Sequence, residues 1–276
     1  MTVTVSAATD VGLKRTQNED WFATWVAEDP ADLEHRGVLL VVADGMGGSR
    51  GGEVASKLAV ETVLKSYREA PGDELLDDLT RALESANRMV HDQSLAHPEL
   101  RGMGTTCTAL VVRDREAFVA HVGDSRAYSL RQGMIRQLTR DHSLVAQLVQ
   151  SRQITPEQAR IDPRRNLVTR SVGVSPHVEV DAERIEGELR DGDTMILCTD
   201  GLHGLVSDEE LATHASGDDL DQACRELVAL ARRRGGHDNI TLIVARLVSS
   251  PADQPAGTRS RAESQRSPDP PSGKAI

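Results

Sequence analysis

The chain has 276 residues, a formal net charge of −11, 38% hydrophobic residues and only 2% aromatic residues. This length suffices for one large domain or two small ones with a real core, and a core so poor in aromatics must be built from Val, Leu, Ile and Ala. The acidic balance argues against non-specific binding to nucleic acid or to an anionic membrane.

The first third of the chain predicts strands followed by helices. Its first segment alternates with a period of two, which is typical of a half-buried strand, and two more strand-like runs follow. Beyond a glycine-rich segment, apolar residues recur at helical spacing in two stretches separated by Pro71-Gly72. The predicted strands lie at 2–10, 21–27 and 36–43, and the predicted helices at about 53–67 and 73–95.

The rest of the chain predicts mostly antiparallel strands. Short turns join four consecutive strand-like runs, and strands joined in this way form hairpins rather than crossovers. A polar segment at about 141–175, with helical stretches, has the character of an inserted flap or cap. The predicted strands lie at 105–112, 116–122, 126–130, 134–138, 177–185, 194–199 and 239–248, and a helix carrying Leu220 to Ala231 stops at Gly235-Gly236.

These elements indicate an α+β fold, an antiparallel β-sandwich with helix pairs on the outside. We expect one domain over 1–248 and a disordered tail over 249–276, where Pro, Ser, Gln, Asp and Arg replace apolar residues. The three cysteines form no CxxC pair and are typical of buried, reduced thiols. Neither a secretory signal nor an apolar run near the roughly 20 residues of a membrane helix is visible, so we expect a cytoplasmic protein without a membrane span.

Four aspartates lie at the ends of apolar runs. Asp44 follows VLLVVA, Asp124 follows FVAHVG, Asp200 follows MILCT, and Asp238 comes just before NITLIVARL. Each run is typical of a buried strand, so the four carboxylates are expected to converge at strand ends. A divalent metal ion is the expected counter-charge.

The glycine-rich segment GMGGSRGG at 45–52 does not match a nucleotide-binding loop. It lacks the Gly-Lys-Ser/Thr of a P-loop, and Arg50 stands where the dinucleotide fingerprint requires its third glycine. The charge of Asp44 would also repel a pyrophosphate. An Asp-Gly pair instead allows a sharp turn in which the Asp44 carboxylate and the Gly45 carbonyl can both be metal ligands.

Seven motifs, in this order, give the chain from about residue 4 to 248 a specific resemblance. It resembles the metal-dependent serine/threonine protein phosphatases of the 2C type (the PPM family), in particular their bacterial members. The motifs are RTQNED at 15–20, VVADGMGG at 41–48, GTT at 104–106, HVGDSRAY at 121–128, LTRDHS at 138–143, TDGL at 199–202 and GGHDNITLIV at 235–244.

The resemblance implies a four-layer α-β-β-α fold with two Mn²⁺ or Mg²⁺ ions bound at one end of the sandwich. By this resemblance Asp44 bridges the two ions and Gly45 gives its carbonyl to one of them. Asp200 and Asp238 would bind the other ion. A ligand set made only of oxygen atoms favours Mg²⁺ or Mn²⁺ over Zn²⁺.

The resemblance assigns further residues to supporting roles. Glu19 and Asp20 would hold metal-bound waters, and Asp124 would join the Asp200 carboxylate at a third, weaker ion. Arg15 would bind the substrate phosphate, for which a planar guanidinium is better suited than an ammonium group. Asn239 would orient Asp238.

The implied activity is hydrolysis of phosphoserine and phosphothreonine in proteins by a water that the two metal ions activate. Animal members carry a histidine after the Asp-Gly pair as the proposed proton donor, whereas this chain has Met46, so the general acid is unassigned. His203 is one candidate for it, although a packing role is the alternative. His121, His142 and His237 flank the motifs, and structural roles are expected for them.

The implied partners are phosphoproteins, among them a serine/threonine kinase or its substrates, and the protein is expected to be a monomer that binds no nucleic acid and no membrane. Two alternatives remain open at this stage. One is a non-catalytic, partner-regulated module that binds phosphoproteins on the same fold, and Met46 and the short flap favour it. The other is a phosphatase of small phosphorylated metabolites.

Overall fold

A computed structural model describes residues 2–47 and 51–249 of the chain. It contains two antiparallel sheets, one of five strands in the order β1-β11-β10-β7-β8 and one of six that includes β2-β3-β5-β6-β9, with β4 paired to β3. The strands are β1 (Thr2–Asp10), β2 (Asp20–Val26), β3 (Val38–Met46), β4 (Gly104–Thr105), β5 (Cys107–Arg113), β6 (Glu116–Val122), β7 (Arg126–Arg131), β8 (Met134–Gln137), β9 (Asp181–Arg184), β10 (Thr194–Cys198) and β11 (Ile240–Val248). The helices are α1 (Pro30–Arg36), α2 (Gly51–Glu69), α3 (Leu75–Ala96), α4 (Leu144–Gln150), α5 (Pro156–Ile161), α6 (Asp200–His203), α7 (Asp208–Ala215) and α8 (Leu220–Arg233), and a 3-10 turn covers Pro98–Leu100.

Three apolar clusters hold these elements together. Strand β3 is buried on both faces: Leu39 and Val41 pack with α2 and α3, whereas Leu40 and Val42 pack between the two sheets. A third cluster joins β10 and β11 to α6, α7 and α8 on the opposite side. The layers are therefore helix, sheet, sheet and helix, which confirms the predicted α+β sandwich.

The structure differs from the sequence prediction mainly in short elements. The predicted strand at 177–185 is wrong over most of its length, because only β9 pairs, against β6. Three helices were not predicted: α1, α6 and α7. They are too short to show a clear apolar period, although the Ser207 and Glu210 side chains form a capping box that marks the start of α7.

The ends of strands carry the predicted aspartates, and Asp124 lies in the connection between β6 and β7. Asp20 of β2 lies opposite Asp44 of β3 in the sheet register. Asp200 lies two residues beyond the end of β10, and Asp238 lies two residues before β11, which pairs with β10 in the five-stranded sheet. Within the described residues, no helix has both the length and the apolarity to cross a membrane. The predicted tail lies outside the described residues from 250 onward, and its disorder stays a prediction.

Candidate active site

The Asp44-Gly45 pair does not form the predicted sharp turn, because it lies inside β3, where Gly45 pairs with Thr105 of the Gly-Thr-Thr segment. The Asp44 carbonyl accepts hydrogen bonds from the Thr106 amide (2.9 Å) and the Thr105 hydroxyl (2.8 Å), and the Asp44 amide donates to Thr106 Oγ1 (2.8 Å). A Cβ on residue 45 would lie 2.1 Å from the Gly52 carbonyl oxygen, so only glycine fits there. The position of the Asp44 carboxylate therefore depends on a rigid main chain.

Asp200 is held at the start of α6 by an equally close backbone approach. A Cβ on residue 201 would lie 1.9 Å from the Asn239 carbonyl oxygen, which explains why a glycine follows Asp200. Thr199 pairs with β11, its amide donating to the Thr241 carbonyl at 3.0 Å. Asp200 and the Asp238-Asn239 segment are thus packed backbone to backbone.

Asp238 lies at the cleft beside Arg15. Arg15 Nη2 donates to Asp238 Oδ2 at 2.9 Å, and Arg15 Nη1 lies 3.7 Å from Glu19 Oε2. The Arg15 side chain is 47% exposed, so the guanidinium also faces solvent. An exposed pair of this kind contributes little to stability, which leaves Arg15 available to a ligand.

Asn239 contacts Asp238 differently from the predicted role. Its main-chain N–H, and not its side chain, donates to Asp238 Oδ1 at 2.9 Å. The buried side-chain amide instead donates to the carbonyls of Val11 (3.0 Å) and Gln17 (2.9 Å) and accepts from the Glu19 amide (2.8 Å). Asn239 therefore fixes the loop that carries Arg15 and Glu19.

Two further predicted carboxylates are buried next to this arrangement. Asp20 is 3% exposed, and its Oδ2 accepts from the Thr199 hydroxyl at 2.9 Å. Asp124 is 6% exposed and follows Gly123 in the turn between β6 and β7. Its carbonyl accepts from His203 Nε2 at 2.9 Å.

A cleft of about 230 Å³ brings most of the predicted site residues together. Asp20 lies behind it, bonded to Thr199, rather than on its wall. Thr106, Asn166 and Val168 line it as well and were not predicted as site residues. Thr106 belongs to the Gly-Thr-Thr motif and reaches the cleft through its hydrogen bonds to Asp44, whereas Asn166 and Val168 reach it only through long-range packing of the flap. The lining consists of Arg15, Glu19, Asp44, Gly45, Met46, Gly47, Thr106, Asp124, Asn166, Val168, Asp200 and Asp238.

The carboxylates repel one another in this cleft. Burial, and then repulsion from Asp20 and Asp200, raises the pKa of Asp44 well above its ordinary value. Burial also raises the pKa of Asp200, with Asp238 as the next cause, and the pKa of Asp124, with Asp200 as the next cause. Removing carboxylates from water without a partner is costly, so the site favours a bound cation.

The donor set fits a hard divalent ion. Asp20 Oδ1 and Asp200 Oδ1 are buried oxygen atoms without a hydrogen-bond partner. No group of three or more His, Cys, Asp or Glu side chains within 2–47 and 51–249 is arranged to hold a metal ion by itself. An ion here would therefore need main-chain oxygen and water ligands as well, as Mg²⁺ and Mn²⁺ commonly do.

The nearby histidines do not offer an acid to the cleft. His203 uses Nε2 to donate to the Asp124 carbonyl, and burial lowers the pKa of His203 to about 3. Burial likewise lowers the pKa of His121 to about 4. Among the described residues that line the cleft there is no histidine, and Met46 has no proton to donate.

Comparison with known proteins gives consistent matches. A family model described as protein phosphatase 2C matches residues 14–241. The serine/threonine protein phosphatase PstP of Mycobacterium tuberculosis (strain H37Rv) is 37% identical over 243 residues, which cover 88% of this chain but only 45% of that protein. Protein phosphatase PhpP of Streptococcus pneumoniae (strain R6) is 35% identical over 254 residues, which cover 90% of this chain and 99% of that protein.

Solved structures match at similar levels. The crystal structure of Mycobacterium tuberculosis PstP/Ppp has a TM-score of 0.80 and 36% identity, covering 90% of this chain and all (100%) of that one. The PstP catalytic domain in complex with two manganese ions has a TM-score of 0.76 and 34% identity, covering 90% and 99% of the two chains.

Proposed function

The chain belongs to the protein phosphatase 2C family, and from that premise we propose that it hydrolyses phosphoserine and phosphothreonine in proteins with Mn²⁺ or Mg²⁺. The observation that carries this proposal is the cleft itself. It collects Asp44, Asp124, Asp200 and Asp238 around one opening, with the Arg15 guanidinium at its edge. The proposed phosphatase domain comprises residues 1–248, with the flap at about 141–175.

The ligands that we propose for two ions are Asp44, the Gly45 carbonyl, Asp200 and Asp238. The PstP catalytic domain was solved in complex with two manganese ions, which supports the number and kind of the proposed ions. When bound, two divalent ions make a water nucleophilic near neutral pH and offset charge on the phosphoryl oxygens. Asp124 is proposed for a third, weaker ion, next to Asp200.

The protein's own contribution is rigid placement. The main-chain bonds that hold Asp44 leave its carboxylate little freedom, so little reorganisation is needed during the reaction. Glu19, which lines the cleft, and Asp20, which lies behind it, are proposed to orient water.

Arg15 is proposed to bind the phosphate of the substrate. A guanidinium has five N–H donors, and the contact with Asp238 Oδ2 occupies one of them. The remaining donors can form paired hydrogen bonds to two phosphate oxygens. Protonation of the leaving oxygen requires a donor other than residue 46 or His203, whose Nε2 is already bonded to the main chain.

Turnover of a phosphothreonine peptide with and without Mn²⁺ tests the proposal. Asp238→Asn is expected to reduce turnover at least about a hundredfold, since it removes a ligand charge and leaves the neighbouring carboxylates in place. Asp92→Asn is the matched control, because Asp92 is an exposed carboxylate on α3 outside the cleft. If Asp238→Asn turns over as fast as Asp92→Asn, the proposal fails.

The same assay separates the alternatives. A protein that binds the phosphopeptide but releases no phosphate at high enzyme concentration would be a binding module. A protein that prefers sugar phosphates to phosphopeptides by at least about tenfold in kcat/KM would be a metabolite phosphatase.

A further inference from the structure

His142 lies at the base of the flap and is joined by two hydrogen bonds to the turn that carries Asp124. The His142 amide donates to the Gly123 carbonyl at 2.7 Å, and the Gly123 amide donates to His142 Nδ1 at 3.0 Å. His142 is 6% exposed. The imidazole and the turn therefore form one closed ring of contacts next to Asp124.

These contacts determine the tautomer of His142. Because Nδ1 accepts a main-chain N–H, it carries no proton, so Nε2 carries it in the neutral ring. Nε2 lies 3.0 Å from Asp181 Oδ2 and donates to it, and Arg170 Nη1, which lies 3.1 Å from Nε2, cannot donate to that nitrogen in this tautomer. Arg170, on the returning side of the flap, donates to the other Asp181 oxygen. The ring is thus anchored on one side to β9 and on the other to Gly123.

The same residue closes the stem of the flap. The His142 carbonyl accepts from the Thr169 amide at 2.7 Å. One residue further out, Ser143 forms a β-bridge with Val168. The outgoing and returning chains of the flap therefore meet at His142 and Ser143. Val168, which lies at this meeting point, also lines the cleft.

The turn itself has little freedom to absorb a shift. Gly123 has φ +118°, a conformation that favours glycine, and a Cβ there would lie 2.5 Å from the Thr106 side chain. Thr106 in turn bonds the Asp44 amide. A displacement of His142 would therefore be transmitted through this constrained turn to Asp124.

We propose that His142 is a positioning residue that couples the stem of the flap to the Asp124 turn, and thereby sets the affinity of the site for its third, weaker ion. The part concerning the ion rests on the proposed function. The part concerning the flap and the turn stands on the contacts of His142 alone.

Two substitutions separate the two hydrogen bonds of the His142 imidazole, one to Gly123 and one to Asp181. In His142→Asn the amide oxygen takes the place of Nδ1 and can still accept from Gly123, whereas the contact with Asp181 is lost. In His142→Gln the amide nitrogen takes the place of Nε2 and can still donate to Asp181, whereas the acceptor for Gly123 is lost. The two variants are therefore matched in polarity and differ in the contact they keep.

The first readout is amide hydrogen exchange in the metal-free protein, followed by NMR. We expect exchange at Gly123 and Thr169 to be at least about tenfold faster in His142→Gln and within about threefold of the wild type in His142→Asn. The second readout is a titration with Mn²⁺ followed by the EPR signal of the free ion. The weak ion is expected to bind about tenfold less tightly to His142→Gln, with the tight ions little changed.

The coupling would be overturned if the amides of Gly123 and Thr169 exchanged at the same rate in the wild type and in both variants. It would also be overturned if exchange became faster by the same factor in both variants. If neither variant folds, as judged by circular dichroism, amide exchange of the wild type in increasing urea below its unfolding transition replaces them: the same urea dependence at Gly123 and Thr169 supports the coupling, and independent dependences contradict it. If the wild type binds no Mn²⁺, the proposed function fails, and the exchange measurement still decides the coupling.

Discussion

Replacing Asn239 with alanine should unfold the chain more easily and loosen the active-site loop. The side chain is 3% exposed and makes three hydrogen bonds, to the Val11 carbonyl (3.0 Å), the Gln17 carbonyl (2.9 Å) and the Glu19 amide (2.8 Å). At about 1 kcal/mol for each bond, Asn239→Ala is expected to cost about 3 kcal/mol of unfolding free energy. The loop that carries Arg15 would lose its attachment to the start of β11.

Urea unfolding followed by circular dichroism measures this cost in metal-free protein. Asn239→Asp is the isosteric comparison, because it keeps an acceptor for the Glu19 amide but turns oxygen atoms toward the carbonyls of Val11 and Gln17. It should be no more stable than Asn239→Ala at neutral pH. A loss below about 1 kcal/mol in Asn239→Ala, or a fully stable Asn239→Asp, would refute the reasoning.

Three further outcomes are expected. Arg15→Lys should raise KM for a phosphothreonine peptide about tenfold or more with a smaller change in kcat, because an ammonium group cannot form the paired contact; steady-state kinetics at saturating Mn²⁺ with KM within twofold of the wild type would contradict this. Burial lowers the folded-state pKa of His121 from 6.5 to about 4, so the unfolded chain binds the extra proton and wild-type stability is lost as pH falls through that window. Over this pH range the unfolding free energy of His121→Asn should fall less steeply than that of the wild type, with a difference in slope of up to about 1.4 kcal/mol per pH unit. Parallel curves for the two proteins would argue against a buried neutral imidazole. Gly173→Ala should destabilise the returning end of the flap by about 1–3 kcal/mol, because Gly173 has φ +91° and the new Cβ would lie 2.2 Å from Val90 Cγ1; an unchanged thermal midpoint would count against it.

The long strands and the convergence of Asp44, Asp200 and Asp238 could be predicted because their signals are local. Strand β3 is a run of apolar residues buried on both faces, and its position in a four-layer fold follows from that pattern. Asp44, Asp200 and Asp238 each stand at the end of such a run, so convergence of the strands brings them together.

The remaining site features depend on contacts between distant parts of the chain. Asn239 was assigned to its sequence neighbour, whereas its side chain binds residues more than 200 positions away. Asn166 and Val168 reach the cleft only because the polar flap folds back, and a polar segment has no periodicity from which to predict this. Arg165 is a further flap residue near the site. Burial raises the pKa of Asp200, and the charge of Arg165 opposes part of that rise.

The central claim is that the carboxylate cleft binds divalent ions that are required to release phosphate from phosphoproteins. The most direct measurement is a Mn²⁺ titration of metal-stripped protein in which bound ion and phosphate release from a phosphothreonine peptide are followed together, in the wild type and in Asp44→Asn. Phosphate release should rise in step with occupancy of the tight ions in the wild type, and both should be lost in Asp44→Asn. Phosphate release at the same rate in excess EDTA, or ion binding and turnover unchanged in Asp44→Asn, would contradict the account.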